Sequence, residues 1–255
     1  FGTRYYNRVT YSLQPLPDSS CKIIFSVQEN PFTFAKVGLH YNKYSGISAI
    51  INITSRNFFV TNSRSSITLN IGENFRARAE HLQYIGRRKN FALDLTTQYD
   101  RFDVTTYNTY KQDGLYRTQF FKADSRLQFS SQRNFTVGLG ERFEWVSYRP
   151  AITSSLQFDG SNRFFTSFAF LKHNSLDRSI FPHRGSKIEV EGGWVATQQP
   201  EAEFFQNGSP SNPDSFVVAS DPYARISLSA DGYFPLSSRS TIELLWQSGV
   251  NFNYQ

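Results

Sequence analysis

The chain has 255 residues, with 27 Lys and Arg against 21 Asp and Glu, a formal net charge of +6. Its basic residues alternate with Glu and Asp, and the densest cluster, Arg87, Arg88 and Lys89, falls in a short turn-like segment; this pattern argues against a nucleic-acid partner. Aromatics at 16%, no Met and a lone Cys21 favour strand chemistry and exclude an internal disulfide framework, while a mean hydropathy of -0.46 and the lack of any run of about 18 apolar residues exclude a membrane helix but not a membrane β-barrel.

The sequence opens at Phe1 with neither Met nor a charged-then-apolar leader, so a processed or partial segment of a longer polypeptide is expected. Residues 8–13 and 22–27 have the pattern of two short strands, joined by a turn with two prolines across 14–20. A segment of this size cannot hold a core of its own. It is expected to be the closing hairpin of a larger domain, and residues 1–32 are set apart from the remainder.

From Phe34 onward, alternating stretches of polar and apolar residues are separated by turns or loops, and no helical period is sustained. Ile67, Leu69 and Ile71 alternate with Thr68, Asn70 and Gly72, and Phe91, Leu93 and Leu95 with Ala92, Asp94 and Thr96. Further along, Ile188, Val190 and Trp194 face away from Lys187, Glu189 and Glu191, and Ile226 and Leu228 away from Arg225, Ser227 and Asp231. Three charges on one face of one strand are costly in lipid and unexceptional against a wet lumen. The charged face is therefore assigned inward.

The alternation predicts strands at 34–42, 46–57, 65–74, 76–85, 90–104, 115–130, 134–148, 162–173, 186–197, 223–234 and 240–252. About eleven strands is an odd number where an even one is usual, so the barrel is expected to continue past Gln255. Aromatics gather near strand ends, at Tyr41 and Tyr44, Phe58 and Phe59, Tyr107 and Tyr110, and Tyr233 and Phe234, as in the girdles of a membrane barrel. The segments 87–90 and 236–240 are short, while 198–222 is long and rich in Pro, Asn, Ser and Gly. Short periplasmic turns and long external loops are the habit of outer-membrane barrels.

Three segments resemble one family. Residues 1–13, Phe-Gly-Thr-Arg-Tyr-Tyr-Asn-Arg-Val-Thr-Tyr-Ser-Leu, followed by 23–30, resemble the end of a POTRA (polypeptide-transport-associated) domain. Val37-Gly38-Leu39-His40-Tyr41 through residues 50–57 resembles the first hairpin of the surface-antigen barrel, the superfamily of the assembly factor BamA and the two-partner secretion transporters. Phe181-Pro182-His183-Arg184-Gly185 is similar to the Phe-Pro-x-x-Gly turn that opens a later strand of those barrels.

The resemblance implies an all-β, antiparallel transmembrane barrel of roughly sixteen strands, of which 33–255 would supply about the first eleven after a POTRA remnant at 1–32. The family's inward-folded Arg-Gly loop would lie beyond this stretch. The wording of the Gly-Thr-x-Tyr-Tyr and Val-Gly-Leu-His-Tyr segments is most similar to Bacteroidetes-type patatin-like proteins, which implies a lipid hydrolase upstream of Phe1.

The chain itself offers little catalytic chemistry. No Gly-x-Ser-x-Gly elbow occurs, and Ser48 after Gly46 and Ser161 after Gly160 lack the full flanking pattern. His40, His81, His173 and His183 have no metal-ligand spacing. The Asp-Gly pairs at 113, 159 and 231 and the Pro-Asp-Ser at 213–215 lack calcium-loop spacing and are predicted as turns. No cofactor or metal site is expected. Arg142, Glu144, Lys187, Glu189, Glu191, Arg225, Asp231 and Glu243 are the candidate lumen residues, and Phe181, Pro182 and Gly185 the candidate family turn.

The function expected is a bacterial outer-membrane barrel, with 1–32 in the periplasm, that anchors or translocates a passenger and touches membrane lipid and other outer-membrane or periplasmic proteins. One alternative is general assembly or two-partner secretion. Another is a soluble β-rich binding module, in which the apolar face of each strand would meet a second sheet.

Overall fold

The structure is a computed structural model and describes residues 6–17, 20–29, 32–42, 46–108, 110–131, 134–152, 156–206, 209–210 and 221–253. Residues 1–5 of the opening motif, Tyr44 and the Pro-Asp-Ser at 213–215 lie outside the described residues. The chain divides into two compact units, 1–34 and 35–255.

In the first unit, β1 (Tyr6–Pro15) and β2 (Cys21–Glu29) form an antiparallel hairpin. Val9 opposes Val27, Tyr11 opposes Phe25 and Leu13 opposes Ile23, so these apolar side chains share one face. All six are exposed.

The second unit is an antiparallel sheet that runs in chain order through β3 (Thr33–Asn42), β4 (Gly46–Arg56), β5 (Ser63–Gly72), β6 (Phe75–Ile85), β7 (Phe91–Asn108), β8 (Lys111–Ser131), β9 (Phe135–Ile152), β10 (Leu156–Asn174) and β11 (Gly185–Gln198). It continues through β14 (Tyr223–Pro235) to β15 (Thr241–Asn253), while β12 (Glu201–Gln206) adds to the edge of β10 and pairs with β13 (Ser209–Pro210). Among the described residues the sheet is open, with β3 and β15 as its two edges.

Residues directly opposite one another in a ladder point to the same face, so the pairing registers sort every strand into two faces. One face carries Ile53, Ile67, Leu127, Leu139, Val190 and Leu228. The other carries Thr54, Glu80, Asp124, Arg142, Glu191 and Ser227. Exposure follows the reverse of a soluble protein: Leu139 is 67% and Leu127 53% exposed, while Asp124, Arg142 and Glu191 are below 9%. Burial of polar groups with exposure of large apolar ones excludes the sandwich arrangement, in which apolar faces cover each other.

Four expectations are corrected. The strands β7 to β10 run several residues beyond the predicted ends of 104, 115, 148 and 162. The pairs Asp113-Gly114, Asp159-Gly160 and Asp231-Gly232 lie within strands rather than turns; a Cβ at Gly160 would sit 2.7 Å from the ring of Phe158 and one at Gly232 3.0 Å from that of Phe234, so these glycines lie under aromatic rings. The stretch predicted as loop at 198–222 contains β12 and β13. Tyr233 and Phe234 do close a strand, but Tyr107 lies in an extension of β7 beyond the span expected for a membrane strand.

Candidate functional site: a charged network on the concave face

The alternation that exposes Leu127 and Leu139 turns Lys122, Asp124 and Arg126 of β8, and Arg142 and Glu144 of β9, to the opposite face. There Arg142 donates from Nε to Asp124 Oδ1 at 2.8 Å, and from Nη1 and Nη2 to the two carboxylate oxygens of Glu191 at 2.7 and 2.8 Å. This bidentate pairing suits the planar guanidinium. Glu191 stands on β11, two strands away, so Arg142 reaches over β10.

Arg126 spans further, from β8 to Glu189 on β11 at 3.3 Å, while also contacting Asp124 at 3.2 Å. Strands spaced about 4.8 Å apart place β8 and β11 roughly 14 Å apart on a flat sheet. The two side chains meet across two intervening strands while Asp124, Arg142 and Glu191 between them are buried, as on the inner side of a sheet that curls, and this face is therefore called the concave one.

Two aromatic rings from β10 form the floor beneath the cations. Phe168 opposes Gly140 and Phe170 opposes Gly138 on β9, and Cβ atoms at these glycines would lie 2.4 and 2.6 Å from the respective rings. The absent side chains give the rings their space. The Arg142 guanidinium sits 4.5 Å over Phe168 and that of Arg126 5.2 Å over the same ring, while Lys172 lies 5.0 Å over Phe170; these are cation–π contacts. Lys172 also pairs with Glu189 at 3.1 Å, and Arg225 stands 3.7 Å from both Glu144 and Glu191.

Of the predicted residues, Arg142, Glu144, Glu189, Glu191 and Arg225 thus meet in one network. Lys187 and Asp231 face each other across β11 and β14 on the same face. Glu243 stands apart, accepting a hydrogen bond from Tyr233 Oη at 2.5 Å near the β14–β15 turn. Asp124, Arg126 and Lys172 were missed, although Lys122-x-Asp124-x-Arg126 carries the same alternating charge as Lys187-x-Glu189-x-Glu191. A second set of charges continues along the concave face, where Arg76 pairs with Asp100 and Ser66 donates to Glu80.

The Phe-Pro turn has its own construction. Asp177 Oδ1 accepts the backbone N–H groups of His183 and Arg184 at 2.9 and 3.2 Å, and these donors, that of His183 foremost, hold its carboxyl below the usual carboxylate range. His183 Nδ1 lies 2.7 Å from Thr241 Oγ1 of β15. Gly185 has φ +114°, and a Cβ there would meet Ser175 O at 2.4 Å, so only glycine suits the position. Pro182 follows Phe181, which is 89% exposed at φ 51°.

Within the apolar stretch of the convex face one carboxylate stands out among the described residues. Glu141 lies exposed between Leu139 and Phe143, accepting a hydrogen bond from Ser167 Oγ at 2.7 Å. On the same face Ser65 Oγ lies 2.8 Å from His81 Nδ1.

A family model described as the OMP85 superfamily matches residues 21–241. The chain belongs to the OMP85 superfamily. Membership implies an outer-membrane location, for which a sheet with an apolar convex face is built. Among solved structures, BamA from Haemophilus ducreyi lacking POTRA domains 1-3 is similar at 17% identity and a TM-score of 0.59, over 98% of this chain and 47% of that one. CdiB from Acinetobacter baumannii is matched at 12% identity and a TM-score of 0.36, over 96% of this chain and 55% of that one. The BamA likeness shows the fold of this OMP85 sheet. The chain spans about half the length of each of these solved chains. No match is found among curated proteins.

Proposed function

We propose that this OMP85 chain is the wall of an outer-membrane barrel that serves assembly or translocation of a passenger presented from the periplasmic side. The observation that carries this reading is the inversion of polarity. A convex face bearing Leu127, Leu139 and Val190 suits acyl chains, and a concave face bearing the Arg142 network suits a wet lumen. Fixed, mutually paired charges give the lumen a rigid polar lining without a large net field.

Finer parts rest on the resemblance of particular segments. Residues 1–32 are the end of a POTRA domain; the exposed apolar face of the β1–β2 hairpin supports this, since such a face is covered in a larger domain. The wall is completed to roughly sixteen strands by chain outside this stretch. The passenger is a patatin-like lipase domain, supported by the wording of residues 1–13 and 37–41.

The test uses the full-length protein from its own cells. Recovery in the outer-membrane fraction, with phospholipid hydrolysis lost when an upstream nucleophilic serine becomes alanine, supports a lipase carried by this barrel. Recovery there with no upstream hydrolase, and loss of other outer-membrane proteins on depletion, favours a dedicated assembly barrel. Recovery as a soluble protein without detergent contradicts the proposal.

A further inference from the structure

Strands β7, β8, β9 and β10 have 18, 21, 18 and 19 residues. An 18-residue strand at about 3.3 Å per residue, tilted by roughly 40°, rises about 45 Å, whereas the apolar band of an outer-membrane barrel is about 25 Å tall. Roughly 20 Å of each strand is surplus to a crossing.

The chemistry of the two faces changes at the point where the surplus begins. Through the first half of the sheet, measured from the 86–90 turn and the Ser131 end of β8, the convex face is apolar: Phe91, Leu93 and Leu95 on β7, Phe129 and Leu127 on β8, Val137 and Leu139 on β9. It ends in a belt of rings, Tyr99, Phe121, Phe143, Trp145, Phe165 and Trp194. Beyond that belt the same face carries Arg101, Asp103, Arg117, Gln119, Arg149 and Arg163. Arg117 donates to Asp103 at 3.2 Å there.

The concave face changes in the opposite sense. Asp94, Asp124, Arg126 and Arg142 occupy it within the band, and Phe102, Tyr116, Phe120, Val146, Phe158 and Phe164 occupy it beyond, with the buried Asp100, paired with Arg76, as the charge among them. These rings cover one another: Phe158 lies 5.2 Å from Phe204 of β12 and 6.3 Å from Tyr148, and the Phe158 N–H donates to Tyr116 Oη at 3.2 Å. The alternation runs on through the belt and is broken only by register shifts, at Thr106/Tyr107 on β7, Leu115/Tyr116 on β8 and Phe165/Thr166 on β10, so the exchange of polarity reflects a change in the solvent that each face meets. A sheet polar outside and apolar inside is what a strand pair in water requires.

We propose that the bilayer contact of this wall ends at the Tyr99–Phe121–Trp145–Phe165 belt, and that β7 to β10 continue beyond it as a water-exposed sheet on the cell-exterior side, with β12 folded onto its edge. The exterior assignment follows the long 199–222 connection, which leaves the sheet at that end, opposite the 86–90 and 236–240 turns. The inference rests on the outer-membrane reading above and adds where the membrane stops.

The experiment takes the full-length protein with Cys21→Ser and single cysteines at Leu127 or Leu139 in the band, or at Arg117 or Arg149 beyond it. Intact cells are treated with a polyethylene-glycol maleimide too large to pass the outer membrane; separately, bimane-labelled protein is reconstituted in phospholipid brominated along its acyl chains. The expected result is labelling of Arg117→Cys and Arg149→Cys on intact cells with no loss of bimane fluorescence to bromine, and the reverse for Leu127→Cys and Leu139→Cys. Bromine quenching at Arg117→Cys and Arg149→Cys equal to that at Leu139→Cys overturns the boundary. Labelling of these two only after cells are broken overturns the exterior assignment. Absence of quenching at Leu127→Cys and Leu139→Cys overturns instead the outer-membrane reading on which the boundary rests.

Discussion

Gly140→Ala tests the packing that holds the charged network in place. The new methyl would lie 2.4 Å from Phe168 Cζ, 2.8 Å from its Cε2 and 2.9 Å from Ser125 O. Neither the β8 backbone nor the ring, which is 4% exposed, has room to retreat without cost. Overpacking of this kind costs about 1–3 kcal/mol, and displacing the ring also weakens its stacking with Arg142 and Arg126, each about 0.5–2 kcal/mol where desolvated. A loss of about 2–4 kcal/mol is expected in urea unfolding of the protein reconstituted in vesicles. Gly192→Ala is the control: its Cβ meets nothing within 4 Å, so its effect is expected within about 0.5 kcal/mol. Phe168→Leu should recover part of the loss in the Gly140→Ala background. Equal stability of the two alanine variants would refute the ring-over-glycine account of the site.

Three other perturbations probe different parts of the wall. Arg142→Met leaves Asp124 and Glu191 buried without their main cation, at an expected cost of about 3–5 kcal/mol in the same assay; replacing all three by apolar residues should recover most of it, and a single variant as stable as the parent would contradict a cooperative network. Glu141→Leu removes a carboxylate from the lipid-facing band and is expected to stabilise by about 1–2 kcal/mol, so a loss of stability would show that Glu141 serves a contact other than Ser167. Asp177 is ionised more readily in the folded turn than in the unfolded chain, so its contribution is present above about pH 4 and is lost as pH falls through its depressed folded value. A fluorophore at Phe181 should report loosening of the turn as pH falls below about 4, a change that Asp177→Asn abolishes; an identical profile in the variant would refute the role.

The two faces were legible because alternation has a period of two wherever the sheet goes. Ile188, Val190 and Trp194 against Lys187, Glu189 and Glu191 sort in the structure as they do in the sequence. The full lengths of β7 to β10 were not legible, for a physical reason: alternation carried them a few residues past Tyr99 and Phe121, to 104 and 115, but the faces exchange polarity beyond that belt, so an apolar-out pattern gave no guide to their ends at Asn108 and Lys111. Gly114 and Asp159-Gly160 reinforced the error, since glycine beside Asp favours turns unless a ring such as Phe158 covers it. β12 was hidden among Pro and Asn because Glu201–Gln206 is a strand only where the extended β10 offers it an edge. The reach of Arg142 and Arg126 over β10 depends on curvature and on Gly138 and Gly140 beneath the rings, neither of which is local to the charges.

The claim that convex means lipid and concave means water is tested most directly by a spin-label scan along β9. Single cysteines at each position from 135 to 145, in the full-length protein with Cys21→Ser, are labelled and reconstituted, and relaxation by oxygen, which partitions into lipid, is compared with relaxation by a water-soluble nickel chelate. The expected result is oxygen-dominated relaxation at the odd positions, including Val137, Leu139 and Phe143, and protection from oxygen at the even ones, including Gly140, Arg142 and Glu144. A profile without a period of two, or one with nickel dominant at Leu139 and Phe143, would contradict the membrane wall.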